Sequence, residues 1–413
     1  MKVLFLNNYY KPERTSGAHI TEDLRVCLAQ KGHTMQIFAP TPTRGVSDSI
    51  RKKYKKEKKK EIDYNGLATV RRFSMFREGK NVFFRTIRYF FVEFKLLLCG
   101  LFCKKADIIP MSSTPPINGL VATIIKKIRK IPFVYTIDDL FPDSLVSSGL
   151  TSKNSILWKL GYWVSKVTYK NAAHIITITD GIKNKLIERG VEENKITVIH
   201  NWIDLEKNKI IMRESNTIFD EFGFDRNEFY LTYAGNIGNS QNVEILIDCA
   251  ERLKQYENIK IIIFGDGTQR DKLVKRASES NLKNLKILPM QPYEKVSEVY
   301  SMGDASFVIC KKGVGIGAFP SKAASIMASG TAVIASFDLD SDLCRLIDEY
   351  KAGICVDSGN VQGLVDAILK LYFDKSLCDE YSKNARFLAE SIFSKEICLA
   401  KRIEIYEKYA KKY

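Results

Sequence analysis

Apolar positions along this chain follow two alternating patterns. Short β-branched and aromatic runs occupy residues 3–6, 35–39, 107–111, 133–137, 174–179 and 196–199. Longer segments with helical spacing lie between several of them, at residues 21–31, 83–102 and 154–169. Strands alternating with helices predict a parallel, doubly wound sheet. Residues 205–228 are polar and weakly periodic, and then the pattern restarts. Strands are expected at 229–234, 259–264, 285–288, 305–309 and 332–335, and helices at 244–255, 269–281, 293–301, 323–328 and 361–373. The chain therefore reads as α/β, with two Rossmann-like domains over residues 1–205 and 206–393. Over residues 394–413, Ile397, Ala400, Ile403, Ile405 and Tyr406 recur at helical spacing. That last helix is expected to pack back on the first domain.

Length and composition agree with two full cores, since the chain has 413 residues and is 45% hydrophobic. Met1 runs straight into a strand-like segment, and no uncharged apolar stretch of about 18 residues occurs. Neither a signal peptide nor a clean membrane span is expected. Nine scattered cysteines without a CxxC pair read as reduced thiols of a cytosolic protein.

Charge changes this picture. Residues 1–205 hold 35 Lys and Arg against 18 Asp and Glu, whereas residues 206–413 hold 29 against 30. The whole net charge of +16 thus belongs to the first half. A basic half implies an anionic partner: a membrane surface, nucleic acid or a phosphorylated substrate. The run from Arg51 to Lys60 is nearly all basic. It suits a solvated loop, or a contact with anionic lipid worth roughly 1 kcal/mol per basic residue. In residues 83–102, Phe83, Phe84, Ile87, Phe90, Phe91, Phe94, Leu97, Leu98, Leu101 and Phe102 make a wide apolar face, with Arg85, Arg88 and Lys95 among them. Such a helix packs on a sheet or lies in the plane of a membrane, and its face is wide enough for both.

The chemistry concentrates where strands end. Gly17-Ala18-His19 follows the first strand in a loop that enters a helix, where free N–H groups can meet an anion. A plain βα turn would look the same, and the absence of GxGxxG disfavours a nicotinamide enzyme. In the second half, Gly235-Asn236-Ile237-Gly238 and Gly265-Asp266-Gly267 end two successive strands. They suggest a nucleotide site at the C-terminal edge of the sheet, with Asp266 holding its turn or capping the helix. Gly313, Gly315 and Gly317 precede a helix opened by Pro320-Ser321, with Lys322 in its first turn. A cation is disfavoured there by the helix dipole unless an anion shares the site, so Lys322 is expected to pair with phosphate. Asp138 and Asp139 end the strand at 133–137; one can act as a general base or orient an acceptor hydroxyl, although many such residues only cap helices. The four histidines are unclustered, with His33 and His174 structural in character, and no metal motif is visible.

Taken together these segments resemble the GT-B, family 4 retaining glycosyltransferases, in the bacterial branch that builds O-antigen and capsular polysaccharide. The marks are Gly17-Ala18-His19, Asp139-Leu140-Phe141-Pro142-Asp143-Ser144, Val198-Ile199-His200-Asn201-Trp202-Ile203-Asp204, the two glycine turns, and Pro320-Ser321-Lys322 leading to Gly330. The resemblance implies two Rossmann-like domains facing each other across a cleft. It implies that Gly17 and Ala18 face the donor diphosphate, with Gly235, Asn236, Gly238, Gln241, Gly265, Asp266 and Gly267 near the phosphates. Main chain at Met290 and Gln291 would read the base. Gly315, Ile316, Gly317 and Ala318 would hold the donor sugar, and Ser321 and Lys322 the pyrophosphate. Asp138, Asp139 and His19 would face the acceptor or the transferred sugar. Two glutamates common in that family are replaced by Gly317 and Ser325; the second normally holds the ribose, where Ser325 offers one weaker hydrogen bond. Asp138 stands where many members have histidine, and Thr331-Ala332 replaces a basic-Pro pair.

The expected activity is transfer of a sugar from a nucleotide-sugar donor to a lipid-diphosphate-linked saccharide, with retention and without metal or cofactor. A uridine donor of an N-acetylated or deoxy-amino hexose is the family's lean. The expected location is cytoplasmic, peripheral to an anionic membrane surface at the inner face of the plasma membrane. Alternatives are a nucleotide-sugar 2-epimerase of the same fold and a non-catalytic partner that binds nucleotide sugar or glycolipid. Nucleic-acid binding lacks an aromatic platform or recognition motif and is not expected.

Overall fold

The computed structural model describes residues 1–13, 17–56, 59–78, 82–147, 151–315 and 319–411. It divides into two compact units, Met1–Ile199 with Leu399–Tyr413, and His200–Cys398. The division falls at residue 200, a few residues before the expected 206, because Ile203 already pairs with Ser394 inside the second unit. Leu399–Tyr413, most of the last helix (Lys395–Lys411), belongs to the first unit.

In the first unit the strands are β1 (Lys2–Leu6), β2 (Thr34–Pro40), β3 (Lys60–Asp63), β4 (Ala68–Phe73), β5 (Ile109–Ser112), β6 (Phe133–Ile137), β7 (His174–Thr177) and β8 (Ile196–Val198). They run β3-β4-β2-β1 and β5-β6-β7-β8, and a bridge from Val3 to Ile108 joins the two sets. Only β3 is antiparallel to its neighbour. The central strands are buried on both faces, as helix-covered parallel strands must be.

The second unit holds β9 (Phe229–Asn236), β10 (Ile259–Asp266), β11 (Leu285–Leu288), β12 (Ala305–Ile309), β13 (Ala332–Phe337) and β14 (Gly353–Asp357). Its sheet is parallel throughout, in the order β11-β10-β9-β12-β13-β14. The chain winds one way from β9 to β11 and the other way from β12 to β14. A crevice therefore opens beyond the C-terminal ends of β9 and β12, where ligands bind in doubly wound sheets.

Three differences from the sequence reading have physical causes. Strands β3 and β4 were not expected: β3 is a half-exposed edge strand and β4 carries Arg71 and Arg72, so neither is an apolar run. The basic segment is not a loop at its start but a helix, Asp48–Lys56, with no buried residue. Lysine and arginine are good helix formers, and Asp48 at one end with Lys53, Lys55 and Lys56 at the other suit the helix dipole. The aromatic helix, Val82–Leu101, is apolar on both faces, with Val92 and Leu96 in the core. Phe84, Phe90, Phe91, Phe94 and Leu98 face outward, while Arg88 and Glu93 are 1% and 2% exposed. Arg88 donates to Thr43 Oγ1 at 2.9 Å, and Glu93 accepts from Asn8 Nδ2 at 2.5 Å. Burial pushes the Glu93 carboxyl up to about 7.

Candidate functional site

At the crevice of the second unit, the strand ends interlock. Ile237 N donates to the Asp266 carbonyl at 2.7 Å, and Gln269 N donates to the Ile237 carbonyl at 2.9 Å, so the turns after β9 and β10 form one surface. Asn236 Nδ2 reaches Gln241 Oε1 at 3.2 Å across Gly238. Gly267 has φ of 148°, and a Cβ there would lie 2.5 Å from the Ile237 carbonyl oxygen; the two turns can meet only over a glycine. Asp266 holds its own turn by accepting from Gly267 N at 2.7 Å. Gly235, Asn236, Gly238, Gln241, Gly265, Asp266 and Gly267 are thus brought together, beside a cavity of about 190 Å³ lined by Gly238, Asn239, Gln269 and Lys311.

Lys322 joins this cluster. It is the second residue of the helix Ser321–Ala328, whose N-cap is Pro320 without a side-chain cap. Its ammonium donates to Tyr233 Oη at 2.9 Å and lies 4.1 Å from that ring's centre. Tyr233 Oη in turn donates to the Asn236 carbonyl at 2.7 Å, which fixes its orientation. Among the described residues no carboxylate pairs with Lys322. Burial lowers its pKa from 10.5 to about 8. A cation is held here against both burial and the helix dipole, beside free helix N–H groups, and an anion relieves both penalties.

The helix start is anchored from below. Phe319 packs on Phe393 with centroids 4.7 Å apart, and His200 packs on Phe393 at 5.1 Å. The glycine-rich approach is clamped by Asp338, a 4% exposed residue just after β13. Its two oxygens accept from Gly313 N and Gly315 N, each at 2.8 Å. Ile316, Gly317 and Ala318 lie outside the described residues. Ser321 is exposed, and Ser325 is half-buried one turn beyond Lys322. Met290 and Gln291 follow the edge strand β11, whose Leu288 pairs with Phe264 just before the Gly265 turn, and Met290 is exposed.

In the first unit, Gly17 caps the helix Ala18–Gln30 with φ of 72°. Ala18 and His19 border a cavity of about 320 Å³ with Asn7, Tyr10 and Lys11, and His19 is exposed. Glu13 shapes this loop: buried, it accepts from Thr43 N and Arg44 N, each at 2.7 Å. Asp138 and Asp139 end β6, on the same C-terminal edge of the sheet; Asp138 is half-buried and Asp139 exposed. Burial raises the Asp138 carboxyl pKa, Arg402 opposes this, and Asp139 adds to it. His33 and His174 have structural contacts: His33 Nε2 meets Glu407 Oε1 at 2.9 Å, and His174 stacks on Tyr409.

Sequence reasoning missed the partners. Tyr233 lies two residues before the first glycine turn, but nothing in the sequence hints that it orients Lys322. Asp338 carried a usable signal, a carboxylate at the C-terminal end of a strand. Arg402 carried none, because nothing in the sequence ties it to Asp138.

The comparisons with known proteins agree with this geometry. Residues 18–207 match Glycosyltransferase Family 4, and residues 214–387 match Glycosyl transferases group 1. The putative colanic acid biosynthesis glycosyl transferase WcaI of Escherichia coli K12 is 25% identical over 416 residues, covering 96% of this chain and 97% of that protein. Among solved structures, Anabaena HepE in complex with UDP and glucose has a TM-score of 0.68 at 16% identity, covering 99% of this chain and 100% of that one. Sucrose-phosphate synthase from Thermosynechococcus elongatus has a TM-score of 0.71 at 15% identity, covering 100% of both chains. At such identities these two likenesses are of fold. The chain is a GT-B glycosyltransferase, built from a family 4 domain followed by a group 1 domain.

Proposed function

We propose that this glycosyltransferase moves an N-acetylated or deoxy-amino hexose from a UDP-sugar to a saccharide carried on a lipid diphosphate, with retention. The setting is surface polysaccharide synthesis at the inner face of the plasma membrane, and no metal or cofactor is needed. The observation that carries the reading is the largely buried Lys322 ammonium, held at a helix start beside the glycine turns with no carboxylate paired to it among the described residues. As the bond from the sugar's anomeric carbon to the diphosphate breaks, negative charge gathers on the leaving oxygen. Lys322 and the nearby N–H groups stabilise that charge where it develops. The acceptor hydroxyl must lose a proton, and Asp138 is the favoured base, its pKa raised by burial above that of an ordinary carboxyl. Asp139 and His19 would orient the acceptor. The name of WcaI supports a polysaccharide product, and the UDP bound to HepE supports uracil as the base.

A panel of UDP- and GDP-sugars, read by release of nucleoside diphosphate and by the anomeric coupling of the product, tests this. UDP release with a retained anomer is expected. GDP release or an inverted product would overturn the respective part. A second reading, a non-catalytic partner that only binds nucleotide sugar, is favoured by Ser325, which stands where the family resemblance implies a ribose-holding glutamate. Nucleotide binding without any turnover would select it.

A further inference from the structure

Three helices of the first unit, Val82–Leu101, Asn118–Arg129 and Ile156–Asn171, pack side by side. Each turns large apolar side chains outward. The first presents Phe84, Phe90, Phe91, Phe94 and Leu98, the second Ile124 and Ile128, and the third Ile156, Leu160 and Trp163. Phe90, Ile128 and Trp163 are 64%, 62% and 55% exposed. Soluble proteins rarely leave so many large apolar side chains uncovered on neighbouring helices, here interspersed with the exposed Lys127 and Lys159. The first helix is already anchored inward by Val92 and Leu96, with Arg88 and Glu93 buried beside them, so its outward phenylalanines are not needed for the core.

Cations bracket this area. On one side Arg51, Lys55 and Lys95 surround a cavity of about 450 Å³ together with Phe76 and Phe91. On the other, a cavity of about 250 Å³ gathers Lys166, Lys170, Arg189 and Lys195 around Tyr162 and Tyr169. Arg189 is held by Asp143 at 2.5 Å, and Lys195 donates to the Tyr169 carbonyl at 2.7 Å; Glu192 is the carboxylate in the lining. Lys166 and Lys170 follow Trp163 by one and two helical turns, at the junction of the apolar row and this cavity.

An apolar centre with basic margins matches the layering of an anionic bilayer, acyl chains below and phosphates above. Among the described residues no helix is long and apolar enough to cross a membrane, so the contact is in-plane. We propose that the outer face of these three helices seats the first unit on an anionic lipid bilayer, with Lys166 and Lys170 holding a lipid phosphate at the mouth of their cavity. This rests on and deepens the reading of a lipid-linked acceptor, and vesicle binding is its primary test.

Flotation with vesicles of phosphatidylcholine, alone or mixed with phosphatidylglycerol, is the experiment. The protein should float with the mixed vesicles and detach as salt is raised. Lys166→Glu with Lys170→Glu should lower the bound fraction about tenfold. Phe90→Ser with Phe94→Ser should abolish flotation, with melting temperatures unchanged. Equal flotation with both vesicle types, or equal flotation of the wild type and the lysine variant, overturns the proposal. So does a wild-type dimer in sedimentation that the phenylalanine variant splits. If that variant misfolds, the exposed lysine pair still decides. Transfer to a short-chain, water-soluble acceptor separates the two readings: transfer retained without flotation overturns only this one, and flotation without transfer only the other.

Discussion

In the second unit, the residues that matter are backbone groups and glycines at the end of a parallel sheet, and there is no excess of basic residues there. In the first unit the strands follow the same winding order, but the unusual residues sit on helix surfaces, and the charge excess is large. A diphosphate can be held by N–H groups and one cation, so a donor site costs little in composition. A bilayer is broad and is met by side chains over a wide area, so such a contact shows as bias in composition.

Removing Lys322 tests the contrast most sharply. Lys322→Ala should cut transfer by about 100-fold or more while vesicle flotation stays unchanged, measured as initial rate and bound fraction. Equal rates would remove the cation from the mechanism. Next in size is Asp338→Ala, which strips the buried Gly315 N–H and the part-buried Gly313 N–H of their acceptor. It should cost about 1–3 kcal/mol in urea unfolding and weaken donor binding as the glycine approach loosens. An unchanged midpoint would mean that the clamp holds nothing.

The pH dependence of UDP binding follows from Lys322. Its folded pKa of about 8 lies below 10.5, so free protein loses the proton as pH rises through 8, while a bound anion retains it. Affinity should be flat below pH 8 and fall about tenfold per unit above it, by calorimetry. By the same linkage, unliganded protein should gain stability as pH rises from 8 towards 10.5. A flat binding profile to pH 9.5 would place the proton elsewhere. The smallest effect is expected at the last helix, where Glu407→Gln weakens a partly exposed contact with His33. A loss of about 0.5 kcal/mol in urea unfolding is expected. An unchanged midpoint would mean that the contact adds nothing.

Much of the fold was legible, because parallel strands buried on both faces are continuous apolar runs. The strands at 133–137, 285–288 and 305–309 match residue for residue. Strands β3 and β4 were hidden because edge exposure and two arginines erase the period. The glycine turns and Lys322 were visible, since both break local preference: glycine after a strand, a cation at a helix start. What those groups lean on was not. Asp338 and Arg402 act at positions that only the folded chain brings to Gly315 and Asp138. The aromatic helix was legible as apolar over a wide face, and Val92 and Leu96 inside with Phe90 outside agree; the buried Arg88 and Glu93 were not legible, because their partners Thr43 and Asn8 are far away in the chain.

The return of Leu399–Tyr413 to the first unit sets an order on biosynthesis. The strands of that unit leave the ribosome first, yet Tyr406 and Arg402, buried against the β6 side of its sheet, leave only after the whole second unit. The N-terminal sheet must therefore wait, incompletely covered, while its neighbour folds. Its aromatic helix and open flank are then the nascent chain's most exposed apolar surfaces, and chaperones or the membrane itself would meet them before the enzyme is complete.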